Sequence, residues 1–156
     1  MSLQSVGHFL LVQTPRGTTQ GRYQNADISK PVVLEGANYN YLSFFYEGAT
    51  RSRSGDNLQS EIGLANNPVS MAVAREAVEK GWLITVTTCA MQPRTLEVGR
   101  ILTREVWLAA SFTYNVEALA VILSSAIDAV GAQVPNRMLT SRLVGALPST
   151  SQVQIR

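Results

Sequence analysis

Apolar positions along this chain alternate with polar ones more often than they recur at helical spacing, which predicts a mainly β protein with one or two short helices. Residues 8–13, opening His8-Phe9-Leu10-Leu11-Val12, read as a strand. Residues 14–30, TPRGTTQGRYQNADISK, are rich in Gly, Thr and Gln and read as a loop or an extended, flexible arm. Pro31 opens a second strand over Val32–Glu35, Gly36-Ala37-Asn38 supplies turn chemistry, and Tyr39–Tyr46 returns as the other arm of a hairpin. Alternation places Tyr39, Tyr41, Ser43 and Phe45 on one face of that arm, and Asn40, Leu42, Phe44 and Tyr46 on the other. Both faces are largely apolar or aromatic, so both are expected to be covered.

Residues 47–57, EGATRSRSGDN, are polar and carry Arg51 and Arg53. They read either as a solvated loop or as a hairpin tip that orders against a partner. Leu58–Leu64 alternates as a strand, with Leu58, Ser60, Ile62 and Leu64 on one face. The clearest helix follows over 68–80. Asn67 can cap it, Pro68 suits its first position, Glu76 and Lys80 form an i,i+4 pair, and Gly81 can end it. Trp82–Met91 is the strongest strand signal, rich in β-branched residues. Two more strands are expected at about 96–104 and 105–114. Residues 116–131 are ambiguous: Leu119, Ile122, Leu123, Ala126, Ile127 and Val130 form a helical stripe, while Ala118–Leu123 serves equally as a buried strand. Pro135, a basic stretch over Arg137–Val144 and a polar tail from Gly145 to Arg156 follow. No repeat and no linker divides the 156 residues, so a single domain is expected.

Composition narrows the function classes. The chain is 46% hydrophobic and only 15% charged, against roughly 25% charged in ordinary soluble domains. That excludes disorder, and a net charge of +2 disfavours a strong polyanion binder, so no specific nucleic acid is expected. The least charged stretch, Val106–Ile127, is too broken by polar residues to span a membrane, and the first residues lack the basic region of a secretory signal. Cys89 is the only cysteine, so no intramolecular disulfide can form, and a buried free thiol is expected. His8 is the only histidine, which leaves neither a metal site nor a Ser–His–acid triad a credible set of partners. Phosphate-cradling and nucleophile-elbow motifs are absent. Glu76 and Glu79 share the helix and Glu97 and Glu105 flank a strand, but solvated carboxylates are far commoner than catalytic pairs. No enzyme, no cofactor and no metal are expected. Arginine outnumbers lysine 11 to 2, a pattern shared by protein interfaces and by GC-rich coding sequences.

The order of elements carries a family resemblance. Leu58–Asn67 (LQSEIGLANN), Met71–Gly81 and Trp82–Thr88 read as a strand ending in an Asn-containing turn, a helix, a glycine and a strong strand, with Gly81, Ile84, Thr85 and Val86 in a G-x-x-V-T-V-like pattern. This resembles the small β-domains of tailed-phage tail and baseplate hubs, the group that includes the phage lambda minor tail protein L. Residues 127–137 resemble that family's closing segment, a short helical piece leading to a Pro and a basic strand. The resemblance spans roughly residues 25–150. The cysteine-rich C-terminal region of that lambda protein has no counterpart, and an iron–sulfur cluster needs about four thiolates, so none is carried over.

The resemblance implies a β-barrel or sandwich with a long extended hairpin and a helix packed on the outer face of the sheet. It implies a virion structural protein of the tail, assembled in the host cytoplasm. Its partners would be copies of itself in a trimeric or hexameric ring, the tail tube, and hub or spike proteins. Residues 39–64 would be the tube hairpin, with Tyr39, Tyr41, Phe45, Tyr46, Arg51, Arg53, Leu58 and Ile62 at the interface between subunits. Arg137, Arg142, Val153 and Ile155 would contact a partner. Residues 116–123 would form a strand, with only about 125–132 helical. The alternative of another class is a β-barrel module that binds a small molecule through Tyr39, Tyr41, Phe45, Trp82 and Trp107 without catalysis.

Overall fold

The computed structural model describes residues 5–48, 50–51 and 58–125. The elements run β1 (Ser5–Gln13), β2 (Thr19–Gln24), β3 (Val32–Leu34), β4 (Ala37–Tyr41), β5 (Phe44–Tyr46), β6 (Thr50–Arg51), β7 (Leu58–Ala65), α1 (Pro68–Glu79), β8 (Leu83–Met91), β9 (Val98–Tyr114) and β10 (Ala118–Ser124). The fold is mainly β, as expected. Among the described residues the ten strands belong to one mixed sheet in the order β3-β4-β2-β1-β8-β9-β10-β7-β5, with β6 pairing β7 beside that path. The barrel or sandwich expectation is corrected: among the described residues there is a single mixed sheet that strand pairing does not close. It curls so that β5 comes beside the end of β2, where Asn25 Nδ2 donates to Phe44 C=O at 3.2 Å.

The inner face of the curl holds the larger core. Leu10 and Val12, Ile84 and Val86, Trp107 and Ala109, Leu119, Val121 and Leu123, Ile62 and Leu64, and Phe44 meet there from six strands. Strand pitch delivers this, because alternate residues share a face. Helix α1 closes the same face with its small residues Ser70, Ala74 and Ala77. It therefore packs on the core-bearing face, not on the outer face expected from the resemblance. The Asn67 side chain accepts from Ser70 N–H at 2.8 Å. At the far end Gly81 sits at φ +60, and Trp82 N–H and Gly81 N–H donate back to Ala77 and Val78 carbonyls, a Schellman closure.

On the opposite face of β1 and β8, Phe9, Cys89 and Met91 form a second core with Val32, Leu34 and Tyr39 from the β3–β4 hairpin. Cys89 is a fully buried free thiol, as expected, and burial pushes its pKa up.

Four local readings change. Residues 19–24 form a strand inside the segment read as loop or arm, because β2 is held by backbone pairing with β1 and β4 and needs no apolar alternation. The β3–β4 turn is Glu35-Gly36, both at positive φ, one position before the expected turn. Residues 39–46 are not one arm: the chain breaks after Tyr41 and β5 joins the other end of the sheet. The two strands expected over 96–114 are one, β9, whose first part pairs β8 and whose last part pairs β10. Ala118–Ser124 is a strand, which settles the ambiguous segment against its helical stripe as far as Ser124. The helix expected at about 125–132 falls on residues that, Ser125 apart, lie outside the described ones.

Candidate assembly interface

The hairpin is the feature from which a site can be built. β5 pairs β7 with Phe44 opposite Leu64, Phe45 opposite Gly63 and Tyr46 opposite Ile62. The ladder resumes one residue out of register with Thr50 opposite Gln59 and Arg51 opposite Leu58. Between them Ser60 Oγ donates to Gly48 C=O at 2.8 Å. β7 pairs β10 along its other side from Gln59 to Ala65, so this hairpin forms the edge of the sheet, with β5 and β6 as its outer strand.

Its base is fixed by polar contacts across the curl. Tyr46 Oη donates to Glu105 Oε2 at 2.5 Å and accepts from Trp107 Nε1–H at 3.0 Å. The His8 ring meets the Tyr46 ring edge-on, with centroids 5.8 Å apart, and His8 Nδ1 lies 3.2 Å from Thr88 Oγ1. Burial, followed by the bond to Glu105, pushes the Tyr46 hydroxyl up to about 12. Burial lowers the His8 pKa, so the imidazole is neutral at neutral pH. These groups come from β1, β5, β8 and β9, and they tie the hairpin's first strand to the far side of the sheet.

The structure separates the residues expected at the interface. Tyr39 and Ile62 lie in the two cores, 7% and 1% exposed. Tyr39 packs edge-on against Phe9 at 5.3 Å and has little surface for a neighbour. Tyr46 is half-buried in the polar cluster. Tyr41 and Phe45 are exposed, at 39% and 54%, and the Phe45 ring lies across Gly63, where a Cβ would overlap it. Arg51 and Leu58 lie opposite each other in the ladder. Arg53, Arg137, Arg142, Val153 and Ile155 fall outside the described residues. Sequence reading missed the bond between Tyr46 and Glu105. The available signal was the single carboxylate between Arg104 and Val106 on a strand otherwise turned to the core at Trp107.

The aromatic residues offered as a ligand site do not converge. Trp82 and Trp107 belong to the inner core, Tyr39 to the second core, and Tyr41 and Phe45 to the surface. The cavity within the inner core, lined by Leu10, Ile62, Ala74 and Val121 among others, holds about 30 Å³, room for about one water. Among the described residues no group of three or more His, Cys, Asp or Glu side chains gathers to hold a metal.

The overall architecture has a counterpart. It is similar to a chain in the solved structure titled "Virion of native gene transfer agent (GTA) particle". The match has a TM-score of 0.54 and covers 83% of this chain at 11% identity. The likeness is one of fold. This chain spans 43% of the length of the virion chain it matches. No protein-family model and no curated protein matches the sequence. Among the described residues no helix is long and apolar enough to cross a membrane.

Proposed function

We propose that this chain is a structural component of a phage-like virion, acting without catalysis. In this reading it forms a trimeric or hexameric ring in the tail or baseplate and joins the tail tube to the distal hub or spike. The observation that carries the proposal is the shared fold with a virion particle chain over most of this chain's length. The hairpin supports it. Among the described residues the outer strand of this hairpin, β5 and β6, has no further strand beside it, and ring closure between copies would cover such an edge. The low charge, 15% of residues, agrees with surface that works covered.

The test is assembly. Purified protein is expected to form rings as its concentration rises, seen by negative-stain microscopy and native mass spectrometry. Arg51→Glu with Arg53→Glu is expected to reduce ring formation while leaving the melting temperature of the dilute protomer unchanged. A chain that stays monomeric at every concentration and binds no tail component would overturn the proposal. A normal ring from the double variant would remove these two arginines from the interface.

A further inference from the structure

The β3–β4 hairpin covers the outer face of β1 and β8 but is lightly tied to the main sheet. Its ladder to β2 is short, Tyr23 with Asn40 and Gln24 with Tyr41, whereas β1 pairs β8 all the way from Ser5 to Gln13. On its outer side β3 has no strand beside it among the described residues. A cleft of about 410 Å³ lies there, between Lys30–Val33 and Thr95–Val98 at the β8–β9 connection. The hairpin is held down by Val32, Leu34 and Tyr39, which pack on Phe9, Cys89 and Met91. These residues belong to the second core alone, so the hairpin can lift while the inner core stays packed. Its base is anchored by Gln24, which is fully buried. Gln24 Oε1 accepts from Ala26 and Asp27 N–H, and Nε2 donates to the Asp27 and Lys30 carbonyls. The base is therefore a fixed hinge, and the tip is the end that can move.

The tip carries its own tie. Arg104 Nη2 on β9 donates to Glu35 Oε2 at 2.7 Å. Glu35 is poorly suited to its place in the backbone. It is the first residue of a two-residue turn and sits at φ +50, followed by Gly36 at φ +78. Asn, Asp or Gly suit that position, and other side chains are strained there. A turn built for its own stability would carry Asn. The carboxylate instead reaches β9, the strand beyond β8 from β1.

We propose that the β3–β4 hairpin is a hinged strap, latched at its tip by Glu35 and Arg104, which lifts as a unit and bares the apolar strip of Phe9, Cys89 and Met91. Glu35 serves the contact with Arg104 at a cost to the turn. The two side chains are 58% and 44% exposed, so the latch weakens as salt screens it. Lifting needs no second copy, and the strap stands or falls independently of the ring reading.

Cys89 reports on the strap, because it is the only cysteine in the sequence and is fully buried beneath it. Its labelling by the aromatic disulfide DTNB, in the dilute full-length protein, follows the fraction of straps that are open. In the wild type, labelling should depend only weakly on urea well below the unfolding midpoint, since lifting exposes far less surface than unfolding. Glu35→Asn is the deciding variant, because it removes the latch and relieves the turn. Labelling should quicken about two- to fivefold while the urea midpoint holds or rises. Arg104→Gln should quicken labelling to a similar degree, and about 1 M salt should quicken it in the wild type but not in Arg104→Gln. Labelling with the urea dependence of global unfolding would overturn the proposal, since the hairpin would then open only with the whole fold. Labelling that slows or stays unchanged in Glu35→Asn would also overturn it, since Glu35 would then act in the turn alone.

Discussion

Tyr46 is the residue through which the hairpin's base is held. Its hydroxyl is both acceptor for Trp107 and donor to Glu105. Tyr46→Phe therefore leaves a half-buried carboxylate and an indole N–H each short of a partner. The expected cost is about 1–3 kcal/mol, read from urea unfolding, with faster exchange of the β5 amides. The pH dependence has a definite sign. The folded-state pKa is raised from an ordinary 10 to about 12, so the folded protein holds this proton more tightly than the unfolded chain. Stability from this group is fully present below pH 10 and is lost as pH rises through about 12. Wild type should lose more stability than Tyr46→Phe between pH 9 and 11. Equal losses would show that the hydroxyl is not held as described. None of this was legible from spacing, because Tyr46 lies 59 and 61 positions from its two partners.

At the scale of elements, helix α1 supports two predictions of opposite sign. Asn67→Ala removes the cap accepted from Ser70 N–H and should cost about 1 kcal/mol. Ser70 is 1% exposed, and its Oγ has no partner among the described residues. Ser70→Ala removes a buried, unpaired hydroxyl and adds a better helix former, so it should stabilise the protein by about 0.5–1.5 kcal/mol. A fall in the urea midpoint of Ser70→Ala would contradict that packing. This helix was legible to within a residue, because Asn67, Pro68 and Gly81 are local signals that act within a few positions. β8 was legible for the same reason, through its β-branched run. β10 was legible only through the resemblance. Its helical stripe is real, but Asn115 Oδ1 accepts from Glu117 and Ala118 N–H and turns the chain back along β9. Pairing with β7 and β9 then buries Leu119, Val121 and Leu123 in alternation. β2 and the break between β4 and β5 were not legible, because non-local pairing decides both. The interface set was only partly legible, since Tyr39 and Phe45 look alike in an alternating pattern and differ only in what covers them.

At the scale of the molecule, two cores share β1 and β8, and an open sheet is held in a curl. A curled sheet without ladder closure needs something at its seam, and Asn25 supplies it. Its Oδ1 accepts from His8 N–H at 2.9 Å, its Nδ2 donates to Phe44 C=O at 3.2 Å, and its own N–H donates to His8 C=O. One side chain thereby joins the end of β2 to β1 and to the first residue of β5. The Tyr46 contacts lie two residues further along the same strand, so the seam and the base of the hairpin form one mechanical unit. Asn25→Ala keeps the backbone pairing but strips His8 N–H and Phe44 C=O of their side-chain partner. The expected cost is about 1–3 kcal/mol, concentrated at the seam. Exchange at His8 and across Phe44–Tyr46 should quicken well before exchange at Val86, which is fully buried between β1 and β9. If the β5–β7 hairpin must be held in place to meet a neighbour, Asn25→Ala should weaken ring formation more than its loss of protomer stability accounts for. An Asn25→Ala protein that assembles like wild type at equal folded concentration would show that the seam serves stability alone.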